Sequence, residues 1–136
     1  YIPAGSLVIV YGDPTGGNSG TAKVLGSDYE LISNVLSEKY VVELRVRRGT
    51  FPEKNRINAL NSRLKTADGT PHTRICPVNC PMLIEDLRKT TWAKDGKSMD
   101  KRKKNRTHLF DAVSYAAEYD WPVQPIFEDV EYELAI

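Results

Sequence analysis

Several things are scarce in this chain, and each scarcity removes a class of protein. Only two cysteines occur, Cys76 and Cys80, with only two histidines, His72 and His108. That is too few ligands, at the wrong spacing, for a structural zinc site, and it leaves no disulfide framework to build on. The two thiols read as buried or unremarkable ones in a reducing compartment. No apolar run approaches the roughly 20 residues that span a bilayer, and no signal-peptide pattern opens the chain. Internal repeats and low-complexity segments are absent. The glycine-rich stretch Gly12-Asp13-Pro14-Thr15-Gly16-Gly17 lacks the Gly-Lys-Ser/Thr ending of a Walker loop, and Lys23 comes too late to replace it, so ATP hydrolysis is not expected. There is no initiator Met, and the opening Tyr1-Ile2-Pro3-Ala4-Gly5 reads as a cut into a longer polypeptide.

What remains is ordinary in amount and unusual in arrangement. The 136 residues suffice for one domain, and 40% hydrophobic with 27% charged content suits a globular chain. The formal net charge of +1 hides a strong segregation. Arg88, Lys89, Lys94, Lys97, Lys101, Arg102, Lys103, Lys104 and Arg106 face only Asp95 and Asp100 in the same stretch. From Leu109 to the end there is no Lys or Arg, while Asp111, Glu118, Asp120, Glu128, Asp129, Glu131 and Glu133 are acidic. A basic strip running into carboxylates suits a protein that holds a polyanion near acids; a lysine-rich loop in water beside an acidic tail is the plainer account.

Periodicity places the elements. Ser6 to Tyr11 is a β-branched run bounded by glycines, hence a buried strand. The start of Asp28 to Leu36 reads as a second strand, although Leu31, Ile32, Val35 and Leu36 also fit a helix. Tyr40 to Val46 is a third strand. Phe51-Pro52 introduces a helix with Ile57, Leu60 and Leu64 on one face, ended by the Asp68-Gly69 turn. Arg74 to Val78 is expected as a fourth, irregular strand, since Pro77 cannot donate to a ladder. A helix carrying Leu83, Ile84 and Leu87 runs to Trp92, and Asp95-Gly96-Lys97 breaks it. The last helix starts after Thr107 as N-cap, carries Leu109, Val113 and Ala116 as its apolar stripe with Ala112 widening it, and stops at Pro122. The expected architecture is mixed α/β with helices packed on a sheet, as one domain over 1–136 with an extended acidic tail from about 122.

Two acids stand out in this frame. Asp13 follows the first strand, where a carboxylate can hold Mg²⁺ beside phosphate oxygens, although an Asp there also simply starts a turn. Asp111 lies in the first turn of the last helix, where the helix dipole favours its ionised form. A helix packed on the sheet can bring the two together, and carboxylates sharing divalent ions activate water against a phosphodiester. His108, on nearly the same face as Asp111, is a candidate metal ligand or phosphate contact; a helix-start imidazole bonded to backbone is its plain alternative.

At these residues the sequence resembles a family. Gly12-Asp13-Pro14, Ser27-Asp28-Tyr29, Arg56-Ile57-Asn58-Ala59-Leu60-Asn61, Cys80 with Leu83-Ile84-Glu85-Asp86-Leu87, Asp100-Lys101, and Thr107-His108-Leu109-Phe110-Asp111-Ala112 with Tyr115 resemble, in order from about Leu7 to Pro122, the nuclease domain of tailed-phage large terminase subunits. The last motif is the most specific of these. The resemblance implies a ribonuclease H-like fold and an Mg²⁺- or Mn²⁺-dependent endonuclease, with two ions, that cuts concatemeric double-stranded DNA during capsid packaging. It implies an ATPase motor domain ahead of Tyr1, the portal and the small terminase subunit as partners, no membrane, and the cytoplasm of an infected or prophage-carrying bacterium as the setting. Asp13 matches the first-strand metal ligand, Asp111 the last-helix ligand, and His108 the accompanying histidine. The acid that many relatives carry near the end of the fourth strand is missing, which leaves Asp86, or less favourably Asp28 or Asn79, as the remaining ligand. Lys97, Lys101, Arg102, Lys103, Lys104 and Arg106 would grip the DNA backbone. Two other readings share the same residues: a non-catalytic DNA-binding or docking domain of that ancestry, and another ribonuclease H-like nuclease such as a junction resolvase.

Overall fold

The computed structural model describes residues 2–17, 27–49, 51–94, 96, 98–100 and 107–123. Its first element is the strand β1 (Leu7–Tyr11), which pairs in parallel with β2 (Val41–Arg45), Leu7 opposite Val41 and Tyr11 opposite Arg45. Both runs are rich in β-branched and aromatic residues, which suit a pleated, half-buried surface. Parallel neighbours need a crossover. Here a 3-10 turn (Pro14–Gly17) and the helix α1 (Asp28–Ser37) precede β2.

The helix α1 corrects the reading of 28–36 as the start of a strand. Ser27 and Glu30 form a capping box: the Ser27 hydroxyl accepts from the Glu30 N–H, and the Glu30 carboxylate accepts from the Ser27 N–H at 2.5 Å. Two amides that would otherwise lack partners are thereby satisfied, which starts a helix outright. Asp28 is the first residue of that helix.

Three more helices follow: α2 (Glu53–Leu64), α3 (Pro81–Lys89) and α4 (His108–Asp120). Leu64 closes α2, and the turn after it is made at Gly69, whose φ of 83° lies in the left-handed region open to glycine. Residues 73–76 take no regular structure and 77–79 form a turn, so the fourth strand expected at 74–78 is not formed. Pro77 withholds its donor there, and Pro81 instead sets the first turn of α3. That helix ends at Lys89, short of Trp92, as Thr90 turns its hydroxyl back to the Asp86 carbonyl. Trp92 then pairs with Met99 in a lone antiparallel bridge.

The core is helical. Ile57, Ala59 and Leu60 of α2 pack with Phe110 and Ala117 of α4 and with Met99, while Leu64, Leu87 and Val113 close over them. The α2 face is the expected one. On α4 the buried face sits one position further along: Phe110, Ser114, Ala117 and Glu118 are buried, whereas Leu109 and Ala112 are exposed. The shift comes from Phe110, the largest apolar side chain of the helix, and from two buried polar residues that periodicity does not count. The architecture is mixed α/β, with four helices and a two-stranded parallel sheet among the described residues. None of the described helices is long and apolar enough to cross a membrane.

Candidate functional site

Both ends of α4 are tied down by side chains from elsewhere. At its start, Thr107 occupies the N-cap position but makes no side-chain cap bond. Asp86 of α3 does that work: its buried carboxylate accepts the Phe110 N–H at 2.9 Å. A carboxylate at that end also meets the positive pole of the helix dipole. At the other end, Arg47 donates to the Tyr119 carbonyl at 2.9 Å and pairs with Glu118 at 3.3 Å. The Tyr11 hydroxyl donates to Asp120 at 2.6 Å, and Arg45 reaches the same carboxylate at 3.0 Å. These bonds fasten α4 to the end of the sheet.

The Asp13 loop lies against the middle of this helix. Gly12 is required for that approach, because a Cβ there would collide with the Tyr29 ring. Tyr29 donates its hydroxyl to the Asp13 carbonyl at 2.6 Å. The Asp13 side chain accepts from the Thr15 N–H at 2.8 Å and the Thr15 hydroxyl at 2.9 Å on one oxygen, and from the Tyr115 hydroxyl at 3.1 Å on the other. Partial burial pushes the Asp13 pKa up. The Thr15 and Tyr115 hydrogen bonds, helped by the Arg56 charge, outweigh it and hold the carboxyl below its ordinary value. Tyr115 is pushed up to about 12, first by burial and, against the pull of Arg56, by its bond to Asp13 and the charges of Asp13 and Asp111. It therefore stays a neutral donor at physiological pH.

Behind Tyr115 stands Arg56 of α2, which is buried. Its guanidinium lies 4.8 Å from the Tyr115 ring centre, pairs with Glu53 at 2.7 Å and with Asp111 at 2.7 Å, and donates to the Ser114 hydroxyl at 2.6 Å. Ser114 in turn donates to the Asp111 carbonyl at 2.8 Å. Asp13, Pro14, Thr15, Phe51, Arg56, Tyr115 and Glu118 line a cleft of about 200 Å³. A second cleft of about 270 Å³, among Ile57, Leu64, Leu87, Trp92 and Phe110, has no ionisable residue in its wall. It is a gap in helix packing and offers no chemistry.

The structure thus brings Asp13 and Asp111, about a hundred residues apart, around one arginine and one tyrosine. It does not gather a third acid: among the described residues no group of three His, Cys, Asp or Glu lies close enough to hold a metal ion. Asp86 is buried as the cap of α4. Asp28 is exposed at the start of α1, with its neighbour Tyr29 making the contact to Asp13. Asn79 is exposed in the turn before α3, and His108 is exposed at the first position of α4, outside the cleft wall. Lys97, Lys101, Arg102, Lys103, Lys104 and Arg106 lie outside the described residues, as does the tail beyond Val123. Cys76 is exposed and Cys80, half-buried, precedes α3; both are free thiols.

Arg56, Tyr115 and Ser114 are the site residues that periodicity does not reveal. One signal for Arg56 was present: an arginine three residues after Glu53, beside Ile57 and on the turn below Leu60, places a charge at the edge of an apolar face.

The fold and site define a small mixed α/β chain with an acid–arginine–tyrosine cleft at the seam between sheet and helices. No protein-family model, characterised protein or solved structure matches the chain.

Does the donor set fit Mg²⁺ or Mn²⁺? Asp13 and Asp111 are hard oxygen ligands, and such ions commonly bind one or two protein carboxylates plus substrate phosphates. The Asp111 oxygen nearest Arg56 is buried and accepts no aligned hydrogen bond, although Arg56 lies 2.7 Å from it. The two carboxylates have the chemistry such an ion takes, but Asp111 does not line the cleft that holds Asp13.

Proposed function

We propose that this chain is a divalent-metal-dependent endonuclease domain of the large-terminase type, with a ribonuclease H-like fold, acting on double-stranded DNA. The observation that carries this reading is that Asp13, at the end of β1, and Asp111, in the first turn of α4, both reach the Arg56–Tyr115 pair, Asp111 through its contact with Arg56 and Asp13 through the Tyr115 hydroxyl. Those are the two positions at which the resemblance places metal ligands. In this reading Asp13 and Asp111 hold Mg²⁺ or Mn²⁺, and the bound ion supplies a polarised phosphodiester and an activated water. The chain's own residues orient that site. Thr15 and Tyr115 aim the two Asp13 oxygens and keep the carboxylate ionised. Tyr29 anchors the Asp13 backbone, and Ser114 and Arg56 fix Asp111. Glu118, held by Arg47, is a further acid in the same cleft wall. In sequence, the basic stretch 97–106 directly precedes α4, and its composition suits contacts to backbone phosphates that do not depend on base sequence. The ATPase motor, the portal and the small terminase subunit belong to the same reading as partners, and the host cytoplasm as its setting.

The test is nicking of supercoiled plasmid in Mg²⁺ or Mn²⁺. Asp13→Asn and Asp111→Asn should each abolish cleavage while circular dichroism stays that of the parent. Full activity in either variant, where the parent cuts, would end the two-acid mechanism. A parent that binds duplex but never cuts would point to the docking domain, and a preference for branched duplex to a junction resolvase.

A further inference from the structure

The strand β1 has the composition of the middle of a sheet but sits at an edge. Leu7 to Tyr11 is an unbroken apolar and aromatic run, as in a parallel strand covered on both faces and paired on both sides. Among the described residues β1 has one partner, β2, and none of its side chains is fully buried. That partner differs, because β2 carries Glu43 and Arg45, and charges of this kind keep natural edge strands unpaired. The register shows where β1 is open. Leu7 stands opposite Val41, and the Val41 N–H donates to the Ser6 carbonyl at 3.0 Å. In a parallel ladder this turns the backbone groups of Val8 and Val10 towards β2, and those of Leu7, Ile9 and Tyr11 away from it. Among the described residues no other strand answers these three.

The chain leaves α4 at the matching end. Asp120, the last residue of α4, accepts the Tyr11 hydroxyl at 2.6 Å, so the segment after it starts from the C-terminal end of β1. Further on, Val130, Tyr132, Leu134 and Ile136 alternate with Glu131, Glu133 and Ala135, the period of a strand with one apolar face. We propose that residues 130–134 add to the free edge of β1 as an antiparallel strand, with Val130 opposite Tyr11, Tyr132 opposite Ile9 and Leu134 opposite Leu7. In this register those three are the hydrogen-bonded pairs, which the outward groups of β1 require. Apolar side chains meet apolar partners on one face, and Leu134 comes against Leu7, which is 56% exposed. A slip of one residue would put Glu131 and Glu133 on that face instead. Residues 124–129 form the bridge, with a reach of up to about 20 Å. Asp13 lies two residues beyond Tyr11, so the strand that carries it is then held on both edges.

Amide hydrogen exchange of the whole chain, read by nuclear magnetic resonance on the parent, Tyr132→Pro and Glu131→Pro, tests this. In the parent the Leu7, Ile9 and Tyr11 amides should exchange as slowly as those of Val8 and Val10. Tyr132→Pro removes a ladder donor and should speed exchange at Ile9 by at least about tenfold. Glu131→Pro alters an N–H that faces solvent in this register and should leave Ile9 much nearer the parent. Equal exchange at Ile9 in the parent and Tyr132→Pro overturns the pairing: the edge is open if both are fast, and filled by another segment if both are slow. A larger effect from Glu131→Pro than from Tyr132→Pro overturns it too, since the strand is then shifted by one residue. Should a variant fail to fold, the parent decides through nuclear Overhauser contacts between the Hα atoms of Val10 and Glu131 and of Val8 and Glu133. Their absence overturns the pairing. Contacts from the tail to Val42 or Leu44 would move it to β2, and contacts found only between differently labelled copies would assign the edge to a second molecule; either result overturns the proposal.

Discussion

The helical half and the strand half of this molecule are held together by different forces. In α2, Ala59 and Leu60 are 0% and 1% exposed, and they pack in an apolar cluster with Phe110 and Ala117 of α4. In the strand half, Leu7 and Val41 are more than half exposed, Val35 is 68% exposed, and α1 buries no residue completely. Two strands cannot enclose a core, and a lone pair of strands is marginal without a packed face. The strand half is instead stitched to α4 by polar groups: Tyr11 and Arg45 to Asp120, Arg47 to Glu118 and the helix carbonyls, and Asp13 to Tyr115. The cleft lies on that seam. A dense apolar core supplies stability but offers no charged group for chemistry. A seam built from carboxylates, guanidiniums and phenols offers several.

The largest test of this difference compares a core leucine with an exposed valine. Leu60→Ala should cost about 2–5 kcal/mol, through lost transfer free energy and the cavity left behind. Val35→Ala should change stability by no more than about 0.5 kcal/mol. Chemical denaturation of both variants checks this. A similar loss in both would mean that α1 is buried against something, and the contrast between the halves would fail.

A middle-sized effect is expected at Asp86, where the two accounts of one acid part. As the cap of α4 it should cost about 1–2 kcal/mol when changed to Ala, the upper range for a lost helix cap. Its removal should leave Mn²⁺ affinity close to the parent's. Weaker Mn²⁺ binding without loss of melting temperature would return Asp86 to the metal site and place the seam's chemistry deeper among the helices.

The smallest effect is a dependence on acid. The Asp13 carboxyl is held below its ordinary value in the folded chain, so the unfolded chain takes up that proton first as the pH drops. The stability it contributes is present above the ordinary carboxylate range and is lost as the pH falls through the depressed pKa. Because Asp13 is largely exposed, solvent screening keeps the contribution small. Melting temperature against pH should therefore fall slightly less steeply on the acid side in Asp13→Asn than in the parent. An identical slope would show that Thr15 and Tyr115 do not favour the charged form.

Parts of this were legible in advance. The β-branched runs at 7–11 and 41–45, the apolar face of α2 and the start of α4 all follow from periods of two or 3.6 and from the residues that punctuate them. The start of α1 was misread as a strand, although Ser27 and Glu30 stand at capping-box spacing before Leu31 and Ile32; that local signal outweighs the strand-like look of the segment. Asp13 and Asp111 could be singled out because each sits where an element ends or begins. The strand at 74–78 failed because apolar composition there competes with Pro77, and among the described residues no strand lies beside it to offer a ladder.

The sequence by itself determined where β1, β2, α2 and α4 start, because caps, prolines and β-branched runs act within a few residues of themselves. It also determined that two acids lie at element ends and that the charges are segregated. Only the tertiary structure decided which residues of α4 are buried, that Asp86 caps a helix from another element, and that Arg56 stands against Asp111 with Tyr115 between it and Asp13. Those outcomes depend on groups distant in the chain meeting at about 3 Å, where a buried charge must find its partner, and no local pattern records which partner that will be.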